Sequence, residues 1–94
     1  MIIGCTGNFR KKEFYIILEK IYNLLSKQNI DFIISSDLKK NTDFLIPSKY
    51  NIMEFSKLIN KCDILFAIGG DGTILRSITY VKDSNIPVLG INTG

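Results

Sequence analysis

The chain has 94 residues, of which 46% are hydrophobic, and a net charge of +3, which suits one small globular domain and excludes a disordered tail. Its basic residues lack the interleaved aromatic residues of a nucleic-acid groove, so we expect no nucleic-acid partner. Two distant cysteines, no histidine and no apolar run of membrane-spanning length exclude a disulfide scaffold, a transition-metal site and a membrane protein, and predict a cytoplasmic chain.

The first part of the chain predicts a strand, a helix and a second strand. Residues 1–5 are apolar, and Thr-Gly-Asn at 6–8 ends them with a loop. Between residues 11 and 28, apolar side chains recur every three or four positions, which predicts an amphipathic helix covering a sheet. Residues 30–34 predict the second strand, beside the first. We expect the loop at 6–8 to be a turn that starts the helix, with a place at a ligand crevice as the alternative.

The rest of the chain predicts, in order, a loop, a short helix, a strand buried on both faces, a longer helix and a last strand. The loop covers residues 38–51 and the short helix 52–61. The buried strand covers 64–68, the longer helix 72–81 and the last strand 88–91. The loop is polar and is interrupted by Pro47. Cys5 and Cys62 each border a predicted strand, and we expect both to be buried free thiols.

This alternation predicts an α/β fold: a doubly wound, Rossmann-like, mostly parallel sheet of about four strands with helices on both faces. We expect the spatial order 2-1-3-4, so that the winding reverses between the first and third strands. Doubly wound sheets bind ligands at the carboxyl ends of their strands, where the winding reverses. Segment 69–73 and Asn92 are expected at that place.

Segment 69–73 reads Gly-Gly-Asp-Gly-Thr and joins the buried strand to the longer helix. A strand, a turn and a helix start bring free backbone N–H groups and the positive helix end to one point, which suits an anion. We expect the three glycines to let a polyphosphate approach the backbone and to adopt positive φ. The alternative is a tight turn in which Asp71 only caps the helix.

Segment 69–73 resembles the signature shared by NAD kinases, diacylglycerol and sphingosine lipid kinases, and phosphofructokinases. The flanks favour the first family, because Ile-Leu-Arg at 74–76 and the segment 86–94, which ends in Gly-Ile-Asn-Thr-Gly, resemble the NAD kinase pattern. The amino-terminal residues 1–8 are also similar to that family. Lipid kinases usually carry an acidic residue shortly after the signature, and residues 76–78 contain none.

The resemblance implies an enzyme that uses ATP, with Mg²⁺ or another divalent cation, to phosphorylate the 2′-hydroxyl of the adenosine ribose of NAD and form NADP. It implies that Asp71 is the catalytic residue and accepts the hydroxyl proton. It implies that the full-length enzyme is a homo-oligomer, and no protein-held metal is expected. The expected nucleotide-contacting residues are Gly69, Gly70, Asp71, Gly72, Thr73, Arg76 and Asn92. The alternatives are that Arg76 is a solvent-facing helix residue and that Asn92 belongs to a plain turn at the end of a strand.

The family pattern includes elements that these 94 residues lack: a Gly-x-Leu-Gly-Phe continuation, an Asn-Glu pair that grips NAD, and a β-rich carboxyl-terminal domain that binds NAD. We therefore expect residues 1–94 to be the amino-terminal α/β domain of an NAD kinase, inactive by itself. Two alternatives stay open. One is the catalytic domain of a lipid kinase, and the other is a nucleotide-binding module without catalysis.

Overall fold

The computed structural model describes residues 1–36 and 47–94, which form a parallel sheet covered by helices. Among these residues the strands are β1 (Ile2–Gly7), β2 (Asp31–Ser35), β3 (Asn51–Met53), β4 (Ile64–Gly69) and β5 (Val88–Asn92), and the α-helices are α1 (Lys12–Ser26), α2 (Phe55–Leu58) and α3 (Asp71–Val81). A 3₁₀ turn, Lys82–Ser84, follows α3. None of the described helices is long and apolar enough to cross a membrane.

The strands lie in the order β3-β2-β1-β4-β5, and every pair is parallel. The predicted order of four strands is confirmed, with β3 added at one edge. The described part of the sheet therefore has five strands rather than about four. The winding reverses between β1 and β4, as expected, and their pairing continues to Gly7 opposite Ile68. This pairing extends β1 two residues beyond the predicted end at residue 5.

The region around β3 and α2 was predicted wrongly. The expected helix over 52–61 begins later, at Phe55, and is a single turn, while Ile52 and Met53 pair with β2. Three residues are too few for an alternating pattern to be read from the sequence, so only the contact with β2 reveals this strand. Residues 38–46 of the expected loop lie outside the described residues.

Helices cover both faces of the sheet, which confirms the doubly wound α/β fold. On one face Phe14 and Leu18 of α1 are 1% exposed and pack in a cluster with Cys5 and Ile34. On the other face α2 and α3 pack against Ile33, Leu65 and their neighbours. Successive residues of each strand point to opposite faces, which divides the core into two clusters.

Both cysteines are buried and free, as expected. Burial raises the pKa of the Cys5 thiol far above its ordinary range, and burial is also the main cause that raises the pKa of Cys62. The two thiols therefore stay protonated and serve as small apolar core groups.

Candidate functional site

The turn between β4 and α3 presents the start of a helix at the carboxyl edge of the sheet. β4 ends at Gly69, Gly70 is the N-cap of α3, and Asp71 is the first helical residue. The carbonyl of Gly70 accepts a hydrogen bond from the backbone N–H of Ile74 at 3.1 Å. A glycine N-cap has no side chain to satisfy the first helical amides, so these amides remain suited to an incoming anion.

The glycines of this turn do not adopt the positive φ that we expected. Gly70 has φ −81° and ψ −178°, and among the described glycines only Gly94 has positive φ, at +101°. An N-cap residue takes an extended conformation, which any residue can adopt, so the prediction of positive φ was wrong. Space explains Gly69 instead, because a Cβ there would lie 2.8 Å from side-chain carbons of Thr73. At Gly72 the same atom would meet nothing within 4 Å.

Asp71 is exposed and joined to the end of β5. The side-chain amide of Asn92 donates a hydrogen bond to Asp71 Oδ1 at 2.5 Å. The other end of the Asn92 amide, Oδ1, accepts the backbone N–H of Gly94 at 2.8 Å. Pairing of Gly69 with Asn92 between β4 and β5 brings these side chains together. Asp71 is thus not turned inward as a helix cap, and its carboxylate is oriented from a neighbouring strand.

The helix α3 presents two different faces near its amino-terminal end. An α-helix advances about 100° per residue, so residues three, four and seven apart share a face. We call the face toward α2 the cleft side; its residues are Thr73, Arg76, Ser77 and Tyr80. The opposite face is the Asp71 side, formed by Asp71, Leu75 and Ile78. Leu75 is 63% exposed and Ile78 is 45% exposed.

The cleft side opens into a cavity of about 740 Å³. Its walls come from α3, from α2, from the end of β2 and from the loop that joins β1 to α1. In that loop, the backbone N–H of Asn8 donates to the carbonyl of Ile68, and the carbonyl of Asn8 accepts the N–H of Lys11 at 3.2 Å. The loop is therefore a turn that leads into α1, as predicted, and Gly7 and Asn8 also line the cavity, as in the alternative.

The structure divides the predicted site residues into two groups. Asp71 and Asn92 lie together on one side of α3, and Thr73 and Arg76 lie on the cleft side. Within the parts of the chain that the structure describes, Arg76 makes no hydrogen bond or ion pair. The glycines at 69, 70 and 72 form the turn between the two groups.

Four residues near the site were not predicted from the sequence. Ser35, Phe55 and Tyr80 line the cavity, and the Lys11 ammonium donates to the carbonyl of Gly94 at 3.2 Å. Ser35 ends the second strand, and a polar residue at that position could have indicated a ligand. Phe55 and Tyr80 carry no such signal, because an aromatic residue on an amphipathic helix ordinarily belongs to the core.

No group of three or more His, Cys, Asp or Glu side chains that could hold a metal ion occurs within residues 1–36 and 47–94. Asp71 is the acidic residue in the first turn of α3.

A family sequence model and individual relatives both match this chain, and they name the same family. The sequence model of the family described as ATP-NAD kinase N-terminal domain matches residues 3–94. The chain is similar to the NAD kinase of Christiangramia forsetii, with 38% identity over 97 residues, and to that of Cytophaga hutchinsonii, with 34% over 97 residues; both alignments include 100% of this chain and 33% of the relative. The NAD kinase of Caldicellulosiruptor saccharolyticus is 36% identical over 94 residues, which are 100% of this chain and 30% of the relative. The chain thus spans about a third of the length of these relatives.

Proposed function

Because the chain belongs to the ATP-NAD kinase family, we propose that the protein is an NAD kinase, which phosphorylates the 2′-hydroxyl of the adenosine ribose of NAD. The ribose oxygen attacks the γ-phosphorus of ATP, the bond from that phosphorus to ADP breaks, and the hydroxyl proton is released. The observation that carries this proposal is the exposed Asp71 carboxylate at the start of α3, held by the Asn92 amide.

The phosphates of ATP, with Mg²⁺ bound among them, lie in this proposal against the first turn of α3. The backbone amides of Gly70, Gly72 and Thr73 are the donors, and the positive end of the helix favours the negative charge. The open space beside Gly72 supports a close approach of phosphate to the backbone. When bound, Mg²⁺ spreads the charge that develops on the transferred group.

Asp71 receives the hydroxyl proton and orients the ribose oxygen. An aspartate is a weak base toward an alcohol. In a loose phosphoryl-transfer transition state the hydroxyl loses its proton late, so a carboxylate in the correct place is sufficient. The hydrogen bond from Asn92 supports this assignment because it restricts the rotation of the Asp71 side chain.

Arg76 and Asn92 complete the proposed nucleotide site. Arg76 faces the cleft and is exposed, which supports a contact with the phosphates of a bound nucleotide. Asn92 acts through Asp71 and is therefore a positioning residue. Gly69 has no Cβ, which allows the Thr73 side chain to pack closely against the backbone of the turn.

The proposal extends to the whole protein. We infer that residues 1–94 serve as its amino-terminal α/β domain and that a β-rich domain elsewhere in the protein grips NAD; the matched segment is 33% of the length of these relatives, which leaves room for such a domain. A cytoplasmic location agrees with two free thiols. The exposed side chains of Leu75, Ile78 and Leu89 near the edge strand β5 support a homo-oligomer. Light scattering of the purified protein would measure its molar mass and so the number of subunits.

The test is an assay of the protein as its natural source makes it, with NAD, ATP and Mg²⁺. We expect NADP as the product, with the new phosphate on the ribose 2′-oxygen, as NMR coupling of the phosphorus to the 2′-carbon would locate it. A parallel assay replaces NAD with vesicles containing diacylglycerol or sphingosine. Phosphorylation of the lipid without formation of NADP would contradict the proposal.

A further inference from the structure

Three consecutive cations, Arg10, Lys11 and Lys12, lie at the start of α1. The positive end of a helix favours acidic residues and N-caps whose side chains accept hydrogen bonds. Lys11 is instead the N-cap, and its side chain makes no capping hydrogen bond; Glu13 is the acidic residue in the first turn. The sequence therefore places positive charge where it weakens the helix, and natural proteins break such local rules chiefly at functional sites.

The start of α1 lies at the same edge of the sheet as the turn between β4 and α3. β1 and β4 are parallel neighbours, and their pairing ends with Gly7 opposite Ile68. Because α1 follows β1 and α3 follows β4, both helices begin at the carboxyl edge where the winding reverses. The positive ends of two helices and the cations of α1 therefore meet in one place, which favours a polyanion.

The Lys11 side chain extends from the start of α1 to this turn. Its ammonium group donates a hydrogen bond to the carbonyl of Gly94 at 3.2 Å. The same carbonyl oxygen lies 3.3 Å from the position that a Cβ on Gly70 would take. One peptide oxygen thus lies between the ammonium group and the N-cap of α3, so a phosphate group on the first turn of α3 is within reach of Lys11.

Most of the hydrogen-bonding capacity of Lys11 is unused. An ammonium group has three N–H donors, and the contact with Gly94 takes one of them. Lys11 is exposed and forms no ion pair within residues 1–36 and 47–94, whereas the charge of Lys49 is paired with Glu19. Two donors and a full positive charge are therefore available to a bound phosphate group.

We propose that Lys11 is a catalytic residue, whose ammonium group contacts the oxygens of the γ-phosphoryl group as that group passes from ADP to the ribose oxygen. The inference rests on the kinase function proposed above and adds a charge-neutralising group supplied by α1. Lys11 keeps its proton, while Asp71 receives the proton of the hydroxyl group. Hydrogen bonds through Gly94 and Asn92 connect Lys11 to Asp71, so one network holds both groups.

Steady-state kinetics of NADP formation by the whole protein test this role. Lys11→Met keeps a side chain of similar length and removes its charge. We expect kcat to fall about a hundredfold while the KM for NAD stays within about threefold, because the contact stabilises charge on the transferred oxygens in the transition state. Lys11→Arg keeps a cation and should retain at least about a tenth of the wild-type kcat.

Lys12→Met is the matched control, since Lys12 is the next residue, is also exposed and carries the same charge at the start of α1. It should keep kcat within about twofold. Both variants remove a positive charge from the positive end of a helix, so neither should lower the midpoint of urea unfolding. An unchanged kcat in Lys11→Met, or equal losses in the two variants, overturns the inference.

A double variant separates a contact with phosphate from an effect that passes through Gly94. If Lys11 contacts the phosphoryl group itself, its loss and the loss in Asn92→Ala should multiply, so that kcat in Lys11→Met/Asn92→Ala falls about a thousandfold. A double variant no slower than Lys11→Met alone would mean that Lys11 only positions the end of β5. That result also overturns the inference.

Titration calorimetry with inorganic tripolyphosphate tests the contact without turnover. We expect Lys11→Met to raise the dissociation constant about tenfold and Lys12→Met to leave it within about twofold. A protein that forms no NADP but shows this difference contradicts the proposed function and leaves the contact of Lys11 with phosphate standing. Equal affinities in the wild type and Lys11→Met overturn that contact.

Discussion

The Asp71 side and the cleft side of α3 begin at the same turn and differ in how their polar groups are satisfied. On the Asp71 side, the carboxylate already accepts a hydrogen bond from Asn92, whose own oxygen accepts one from Gly94. On the cleft side, the Ser35 hydroxyl group has no partner in the described chain, and the Tyr80 ring is largely exposed. A preorganised group suits chemistry, whereas unsatisfied groups suit binding, so the two sides should respond differently to substitution.

The largest effect is expected at Asp71. In Asp71→Asn the carboxylate that accepts the hydroxyl proton is lost while the shape is kept, so kcat should fall about a thousandfold with the KM for NAD almost unchanged. Steady-state kinetics of NADP formation measure both. Asp83→Asn, which changes an exposed carboxylate beyond the far end of the helix, is the control and should keep full activity. A fall in kcat of less than about tenfold in Asp71→Asn would contradict the assignment of Asp71 as the acceptor of the hydroxyl proton.

The next largest effect is on stability, and it should differ between Gly7 in the wall of the cleft and Gly72 in the turn. A Cβ at Gly7 would lie 2.2 Å from the carbonyl oxygen of Ile68, so Gly7→Ala should lower the free energy of unfolding by about 3 kcal/mol. Gly72→Ala places its Cβ in open space and should change stability by less than about 1 kcal/mol. Urea unfolding measures both. Gly72→Ala should still lower turnover, because the new methyl group occupies the space proposed for phosphate; equal stability losses in the two variants would contradict this distinction.

A smaller effect is expected at Asn92. In Asn92→Ala the carboxylate of Asp71 loses its partner and becomes less well oriented, so kcat should fall about tenfold while the dissociation constant for ADP is kept. Asn92→Asp has nearly the same shape but places a second carboxylate against the first, and it should be worse than alanine. Wild-type turnover in Asn92→Asp would show that this contact does not matter to the reaction.

The smallest effect concerns a cluster far from both sides. Glu19 accepts hydrogen bonds from Lys49 and from the Tyr50 hydroxyl group, the latter at 2.6 Å. The hydrogen bond from Lys49 and then that from Tyr50 lower the pKa of Glu19 below its ordinary value of 4.5. The ionised Glu19 therefore stabilises the folded state at pH values above 4.5. This contribution is lost as the pH falls through the lowered pKa.

Glu19→Gln should accordingly be less stable than the wild type at pH 7, and the difference should shrink as the pH falls below 4.5. Unfolding measured over a pH series tests this. Neither kcat nor any nucleotide affinity should change, because the cluster does not contact the cleft. A change in NADP formation that follows this stability loss would mean that the activity assays report folding rather than chemistry.

The two sides also differ in how far the sequence predicted them. The turn and Asp71 were predictable because a buried strand, three glycines and a helix start are consecutive in the chain. The cleft was not, since Ser35, Phe55 and Tyr80 are at least twenty residues apart and meet only after the sheet has formed. The same reason explains β3, whose three residues become a strand only by pairing with β2. The prediction of positive φ was wrong because Gly70 is an N-cap, which needs extended backbone. At Gly69 the requirement for glycine comes from the Thr73 side chain, which leaves no space for a Cβ.

The most direct test is a crystal structure of the whole protein with NAD and a non-hydrolysable ATP analogue bound together. The quantity to measure is the distance from the Asp71 carboxylate to the 2′-oxygen of the adenosine ribose of NAD. We predict a hydrogen-bond distance of about 2.6 to 3.2 Å, with the phosphates of the analogue at the first turn of α3. A ribose 2′-oxygen bound away from Asp71, or analogue phosphates bound away from that turn, would contradict the account.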